Sequence, residues 1–201
     1  MVGTGLVAGW RRPAVAASLI LLVVALASAS ALRWPGLADV MVLDRGCVAG
    51  GQWWRLWSGH LLHLDSTHAL LNLAALAVIL VLAARQRMLG EVAAAALLGM
   101  PLLSLGLLWL DPALDWYAGL SGLLHGLLVI VLARRGGAVA WLLLGLLALK
   151  LLHEWRFGSH WEGWAVITLA HRLGAAGGTL WAVVGGWLAR QARQPMARQG
   201  V

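Results

Sequence analysis

The chain has 201 residues, 61% of them hydrophobic and 11% charged, with a mean hydropathy of +0.83 and a formal net charge of +7. So little polar sequence cannot cover a core with a wetted surface, which excludes a water-soluble globule and leaves a polytopic membrane protein. The single cysteine, Cys47, excludes an intramolecular disulfide framework and a thiolate metal cluster, so helix packing in lipid must hold the fold.

Six apolar segments follow in chain order: Ala14–Leu32, His68–Ala84, Val92–Leu110, Ala118–Ala133, Ala138–Leu152 and Gly163–Leu188. Several approach the roughly 20 residues that a helix needs to cross a bilayer. They are rich in Leu, Ala and Gly and do not alternate at period two, which favours helices over an outer-membrane barrel. The expected fold is all-α: a cytoplasmic segment over 1–13, a six-helix membrane domain over 14–189 and a basic tail over 190–201. Arg11 and Arg12 followed by an apolar run and "ASASA" at 27–31 imitate a cleavable signal peptide, but that run is longer than the usual signal core.

Basic residues orient the segments. Arg11 and Arg12 precede the first, Arg85 and Arg87 follow the second, Arg134 and Arg135 the fourth, and Arg190, Arg193 and Arg198 the sixth. These positions alternate, so all can lie on the cytoplasmic side with both termini. Asp39, Asp44, Asp65, Asp111, Asp115, Glu154 and Glu162 occupy the other loops, and Glu91 alone is acidic on the basic side. The positive charge is then a property of topology, and no nucleic-acid partner is expected. Brief loops suit a bacterial inner membrane, with the external or periplasmic side facing the acidic loops.

Polar side chains inside the spans are costly unless they pair or face a wet cavity. Asn72, the only asparagine, lies one turn after His68 on the second span; Ser121 opens the fourth and His171 lies within the sixth. Counting about 1.5 Å per residue from Arg134 puts Ser121 about 20 Å along the span, some 10 Å below the outer edge of a ~30 Å core. The same count from Trp164 brings His171 to a similar depth. A serine hydroxyl becomes a nucleophile when an imidazole takes its proton, and that imidazole can return a proton to a leaving amine. No Asp or Glu falls within a span, so the expectation is a Ser121–His171 dyad without an acidic third member. His68, Asn72 and the Ser121 backbone N–H are the candidate donors to an oxyanion. Gly119 and Gly122 would allow a tight turn and close approach of helices or substrate.

These residues resemble the rhomboid intramembrane serine proteases. "GLSG" at 119–122 matches the family's GxSG, and "AHRLGAAGG" at 170–178 matches AHxxGxxxG through His171, Gly174 and Gly178. "WRLWSGHLLHLDSTHALLN" at 54–72 is similar to the family's WR loop start, here Trp54 and Arg55, and its HxxxxHxxxN run, here His63, His68 and Asn72. The resemblance implies a six-helix bundle that cleaves membrane-anchored protein substrates in or beside their transmembrane segments. Ser121 would be nucleophile, His171 base, and His68 and Asn72 part of the oxyanion site, with no metal or cofactor. Where many rhomboids place a tyrosine one turn after the serine, this chain has His125. GxSGxxHG is similar to the rhombosortase (GlyGly-CTERM) branch, associated with substrates carrying a C-terminal Gly-Gly, a transmembrane helix and a basic tail.

Other residues have plainer readings. The glycines can serve as small contacts between helices, and Trp53, Trp54 and Trp57 as an interfacial anchor. Arg55 either pins its loop through carbonyls or is solvated; His60 and His63 read as surface loop histidines without a catalytic role. His125 is expected to pack on His171 or hold a water, with substrate contact and a competing base as alternatives. Lys150 and Glu154, with His153 at the outer end of the fifth span, read as an i, i+4 pair, with a substrate-tail site as the lesser reading. Different function classes remain: a catalytically inactive client-binding rhomboid, or a b-type haem protein ligated by His68, His125 or His171.

Overall fold

The computed structural model describes residues 4–193, so the tail arginine Arg198 and the first three residues lie outside the described residues. The architecture is all-α and polytopic. Among the described residues six helices have 15 or more residues: α1 (Thr4–Arg33), α5 (Ser66–Arg85), α6 (Leu89–Leu110), α7 (Ser121–Arg135), α8 (Gly137–Phe157) and α9 (Thr168–Arg193). Between α1 and α5 the chain folds into three short helices, α2 (Pro35–Met41), α3 (Arg45–Ala49) and α4 (Arg55–Ser58), and a 3₁₀ turn at Gly59–Leu61. Among the described residues four helices, α1 from Pro13, α5, α6 and α8, are long and apolar enough to cross a membrane.

Helix α7 occupies the centre, in contact with α5, α6, α8 and α9. Its 15 residues extend only about 22 Å at 1.5 Å each, less than a ~30 Å hydrocarbon core. Ser121 therefore opens a helix shorter than each of the four it packs against. Leu120, Leu123, Leu124, Leu127, Ile130 and Val131 of this segment join Leu76, Ile79 and Leu80 of α5 and Val92 and Ala95 of α6 in the main apolar core. Helix α1 lies along α5, and Ser28 of the "ASASA" run is buried, donating its hydroxyl to the Leu61 carbonyl at 2.9 Å.

Glycines set the tightest contact, that of α7 with α9. A Cβ on Gly122 would meet the Ala170 carbonyl, one on Gly126 the Gly174 carbonyl, and one on Gly174 or Gly178 the carbonyl of Gly122 or Gly126. The two backbones touch, which is how small residues supply association energy where lipid removes the hydrophobic drive.

Of the boundaries that differ from expectation, two shape the site. Helix α8 does not end near Leu152 but runs to Phe157, stopping at Gly158, whose φ is +70° and whose N–H bonds the Glu154 carbonyl. Lys, Glu and Arg end an apolar run without ending a helix, because each is a good helix former. Helix α9 starts at Thr168, later than Gly163, because a hairpin precedes it: β3 (His160–Trp161) pairs with β4 (Trp164–Ala165). The two-residue turn Glu162–Gly163 has positive φ at both positions, the pattern of a tight type I′ connection.

The loop histidines need a second correction. His60 is 0% exposed and His63 7%, so neither is a surface group. His60 Nε2 donates to the Met100 carbonyl at 2.9 Å and lies 3.0 Å from Ser104 Oγ, which itself donates to the Leu56 carbonyl. A backbone carbonyl only accepts, so His60 carries its proton on Nε2, and burial pushes its pKa down to about 4. Histidine among Trp and Leu in an irregular loop has no period to betray which face is covered.

Candidate active site

Local chemistry explains how the site is assembled. Arg45 bonds the Leu114 carbonyl through Nε and the Asp111 carbonyl through Nη2, at 3.0 and 2.8 Å, fixing the segment that leads into α7. A two-residue ladder of β1 (Leu43–Asp44) with β2 (Trp116–Tyr117) continues that hold. Tyr117 donates its hydroxyl to the Gly119 carbonyl at 2.7 Å, and the Gly119 N–H bonds the Gly59 carbonyl. Gly119 takes φ +144°, which an L side chain rarely adopts, and this bend presents Ser121 at the head of α7.

Ser121 Oγ lies 2.9 Å from His171 Nε2, and His171 Nδ1 lies 2.9 Å from Glu154 Oε2. The expectation that no carboxylate would approach the histidine is thus corrected. Glu154 lies in the last turn of α8, yet its side chain is only 8% exposed because it turns inward to His171 and Lys150. Lys150 Nζ is 2.6 Å from Glu154 Oε1 and 3.0 Å from His125 Nε2. His125 Nδ1 bonds the Ser121 carbonyl at 2.7 Å, and its ring stacks on that of His171 at 4.2 Å between centroids with 15° between planes. Neither nitrogen of His125 is directed to Ser121 Oγ.

These groups open into a cavity of about 560 Å³ that His68, Asn72, Ser121, His125, Lys150 and His171 line together. Asn72 Nδ2 donates to the His68 carbonyl at 2.9 Å, leaving its amide one further N–H. Asp65 caps α5 by accepting from the His68 N–H at 2.8 Å, and its other oxygen accepts from Trp161 Nε1 at 2.6 Å. The β3–β4 hairpin, whose residues also line the cavity, is thereby tied to the start of α5.

Trp54 and Arg55 stand apart from the reacting groups. Arg55 is buried, with Nη1 donating to the carbonyls of Asp39 and Val42 and Nε to Gln52 Oε1; Trp54 Nε1 bonds the Val40 carbonyl. They brace the loop. A second serine–histidine contact, Ser104 with His60, is closed to the same chemistry: both side chains are 0% exposed, and His60 Nε2 offers a proton where a base must offer a lone pair. Sequence reasoning missed Glu154 as a neighbour of His171; only its i, i+4 spacing from Lys150 hinted that it was held.

At the other end of α7, Arg134 pairs with Glu91 at 2.7 Å, and Trp181 Nε1 bonds the same carboxylate. No curated protein matches the chain. Residues 50–188 match the family model described as "Rhomboid: Rhomboid domain", a stretch that contains every motif residue from Trp54 to Gly178. A match over that much of the chain shows that it belongs to the rhomboid family, whose members are intramembrane serine proteases.

Proposed function

We propose that this protein is an intramembrane serine endopeptidase with Ser121 as nucleophile and His171 as general base. The 2.9 Å contact between Ser121 Oγ and His171 Nε2, at the head of α7 and beside an open cavity, carries this reading. Ser121 Oγ attacks the scissile carbonyl carbon as its proton passes to His171 Nε2. The resulting oxyanion takes hydrogen bonds from the Ser121 N–H, the free N–H of Asn72 and the ring of His68. Collapse breaks the C–N bond, the Nε2 proton goes to the departing amine, and water attacks the acyl-enzyme by the same route in reverse roles.

Family membership supports the reaction class, and the His125 variant of the serine motif supports rhombosortase-like substrates. A serine below the membrane surface cannot attack a helical peptide whose carbonyl is shielded, so the substrate must unwind. Glycine leaves a helix most readily and adds no side chain to the cleft, which favours a Gly-Gly pair at the edge of a C-terminal span. A basic substrate tail held at the cytoplasmic face would present that pair to the outer half, given the inner-membrane orientation with both termini cytoplasmic. A general rhomboid with other substrates is the second reading, favoured if Gly-Gly proves dispensable. Commitment of both His125 nitrogens and both His171 nitrogens to protein partners supports acid–base chemistry over iron ligation.

Co-expression with a tagged membrane-anchored substrate, followed by mapping of the new terminus, tests both levels. Release should depend on Ser121 and fall strongly when both glycines become leucine. Undiminished release from the leucine substrate would remove the Gly-Gly reading and leave the rhomboid protease standing; release by Ser121→Ala would remove the protease reading.

A further inference from the structure

The five hydrogen bonds around His171 form a closed ring through Ser121, His125, Lys150 and Glu154. One assignment of protons satisfies all of them. The Ser121 carbonyl only accepts, so His125 is protonated at Nδ1, and its Nε2 lone pair accepts from Lys150. Glu154, beside that ammonium, is a carboxylate and accepts from both Lys150 and His171 Nδ1. His171 then offers its Nε2 lone pair to the Ser121 hydroxyl, as a general base must.

The position of Glu154 is not a by-product of packing. Helix α8 is largely lipid-facing: Ala140 and Glu154 are its buried residues, while the neighbouring Trp155 and Arg156 are exposed. Taking a carboxylate out of water costs several kcal/mol unless partners compensate. Here the compensation comes from Lys150 at 2.6 Å and His171 at 2.9 Å.

We infer that Glu154, held by Lys150, is a positioning residue for the base: the carboxylate at Nδ1 of His171 locks the tautomer that receives the Ser121 proton and offsets the imidazolium charge that follows. This rests on the protease reading, in which Ser121 and His171 already react. It adds a third member to what the sequence alone read as a dyad. Lys150 has a double duty, keeping the carboxylate in place and anchoring His125, whose ring forms one wall against which His171 is stacked.

The test uses the full-length protein, with a fluorophosphonate as probe of serine activation and a tagged transmembrane substrate for kcat and KM. Glu154→Gln keeps the shape but removes the charge. Its labelling rate and kcat should fall about 10²- to 10⁴-fold, the scale seen when a catalytic histidine loses its carboxylate, with KM changed no more than about threefold. The double variant Lys150→Met/Glu154→Gln leaves no unpaired charge; it should keep a Tm near wild type and be as slow as Glu154→Gln. It also carries the readout if the single variant does not accumulate. Labelling within about threefold of wild type in Glu154→Gln, or recovery of wild-type kcat in the double variant, overturns the inference, the latter by tracing the loss to a stranded lysine. Ser121→Ala and His171→Ala run alongside. If both are silent while Glu154→Gln is fast, only this inference falls; cleavage by Ser121→Ala removes the protease reading beneath it.

Discussion

Helices α7 and α8 follow one another with almost no loop, yet the bundle treats them oppositely. Helix α7 buries most of its length against four neighbours, with its backbone against that of α9. Helix α8 is longer and more exposed, and of its residues only Ala140 and Glu154 are buried. One helix is placed by shape and the other is held near its C-terminal end by charge. The same membrane domain uses close packing to set the nucleophile and an ionic anchor to set what stands behind the base. Packing tolerates no added atoms; an ion pair tolerates movement but not loss of a partner.

Removing the reactive groups on the packed side should have the largest effect. Ser121→Ala and His171→Ala should each lower turnover by about 10⁴-fold or more, with the double variant no worse than either. The melting profile of Ser121→Ala should match wild type, whereas His171→Ala, which opens a cavity beside His125 and takes a partner from the buried Glu154 carboxylate, should melt lower while still folding. Substantial turnover in His171→Ala, lost on adding His125→Ala, would transfer the base role to His125.

Glycine substitutions sharpen the contrast between helices directly. Gly126→Leu drives a side chain into the Gly174 carbonyl and should prevent assembly of α7 on α9, whereas Gly145 of α8 has nothing within 4 Å of where a Cβ would stand. Gly145→Leu should therefore be neutral, or stabilising by up to about 1 kcal/mol through helix propensity. Thermal denaturation in detergent of the two variants side by side checks this, and equal stabilities would refute the difference in packing.

Substitutions at the cavity wall come next. His68→Ala and Asn72→Ala should lower kcat about 10- to 1000-fold, the range for losing one oxyanion donor, with less change in KM. Unchanged turnover in both would return these side chains to a purely structural role on α5.

The smallest effect is one of pH on the docked loop. His60 and His63 have pKa values pushed down by burial to about 4, against 6.5 when free. The undocked loop binds more protons below pH 6.5, so docking is at full strength above that value and weakens as pH falls toward about 4. Hydrogen exchange over residues 50–63, corrected for intrinsic rates, should speed up at pH 5 relative to pH 7.5. Protection independent of pH would show that these rings do not titrate with loop release.

Much of this molecule is legible in the chain itself. The membrane class follows from composition and the helical character from long runs of Leu, Ala and Gly. Local signals also mark Gly119 and Gly122 as points of bend or approach. These inferences succeed because each depends on neighbours within a few residues or on the solvent, and a sequence displays both. Tertiary structure alone decided the rest. Glu154 read only as the partner of Lys150 at the end of the fifth span, because hydropathy records transfer to lipid and is blind to a partner 17 residues away on another helix. His60 and His63 looked wet for the same reason: their burial is conferred by α6 and the neighbouring loop, not by their own segment. Pairing energies between distant side chains depend on distances that only the folded bundle creates, so the carboxylate behind His171 became visible only once α8 and α9 stood side by side.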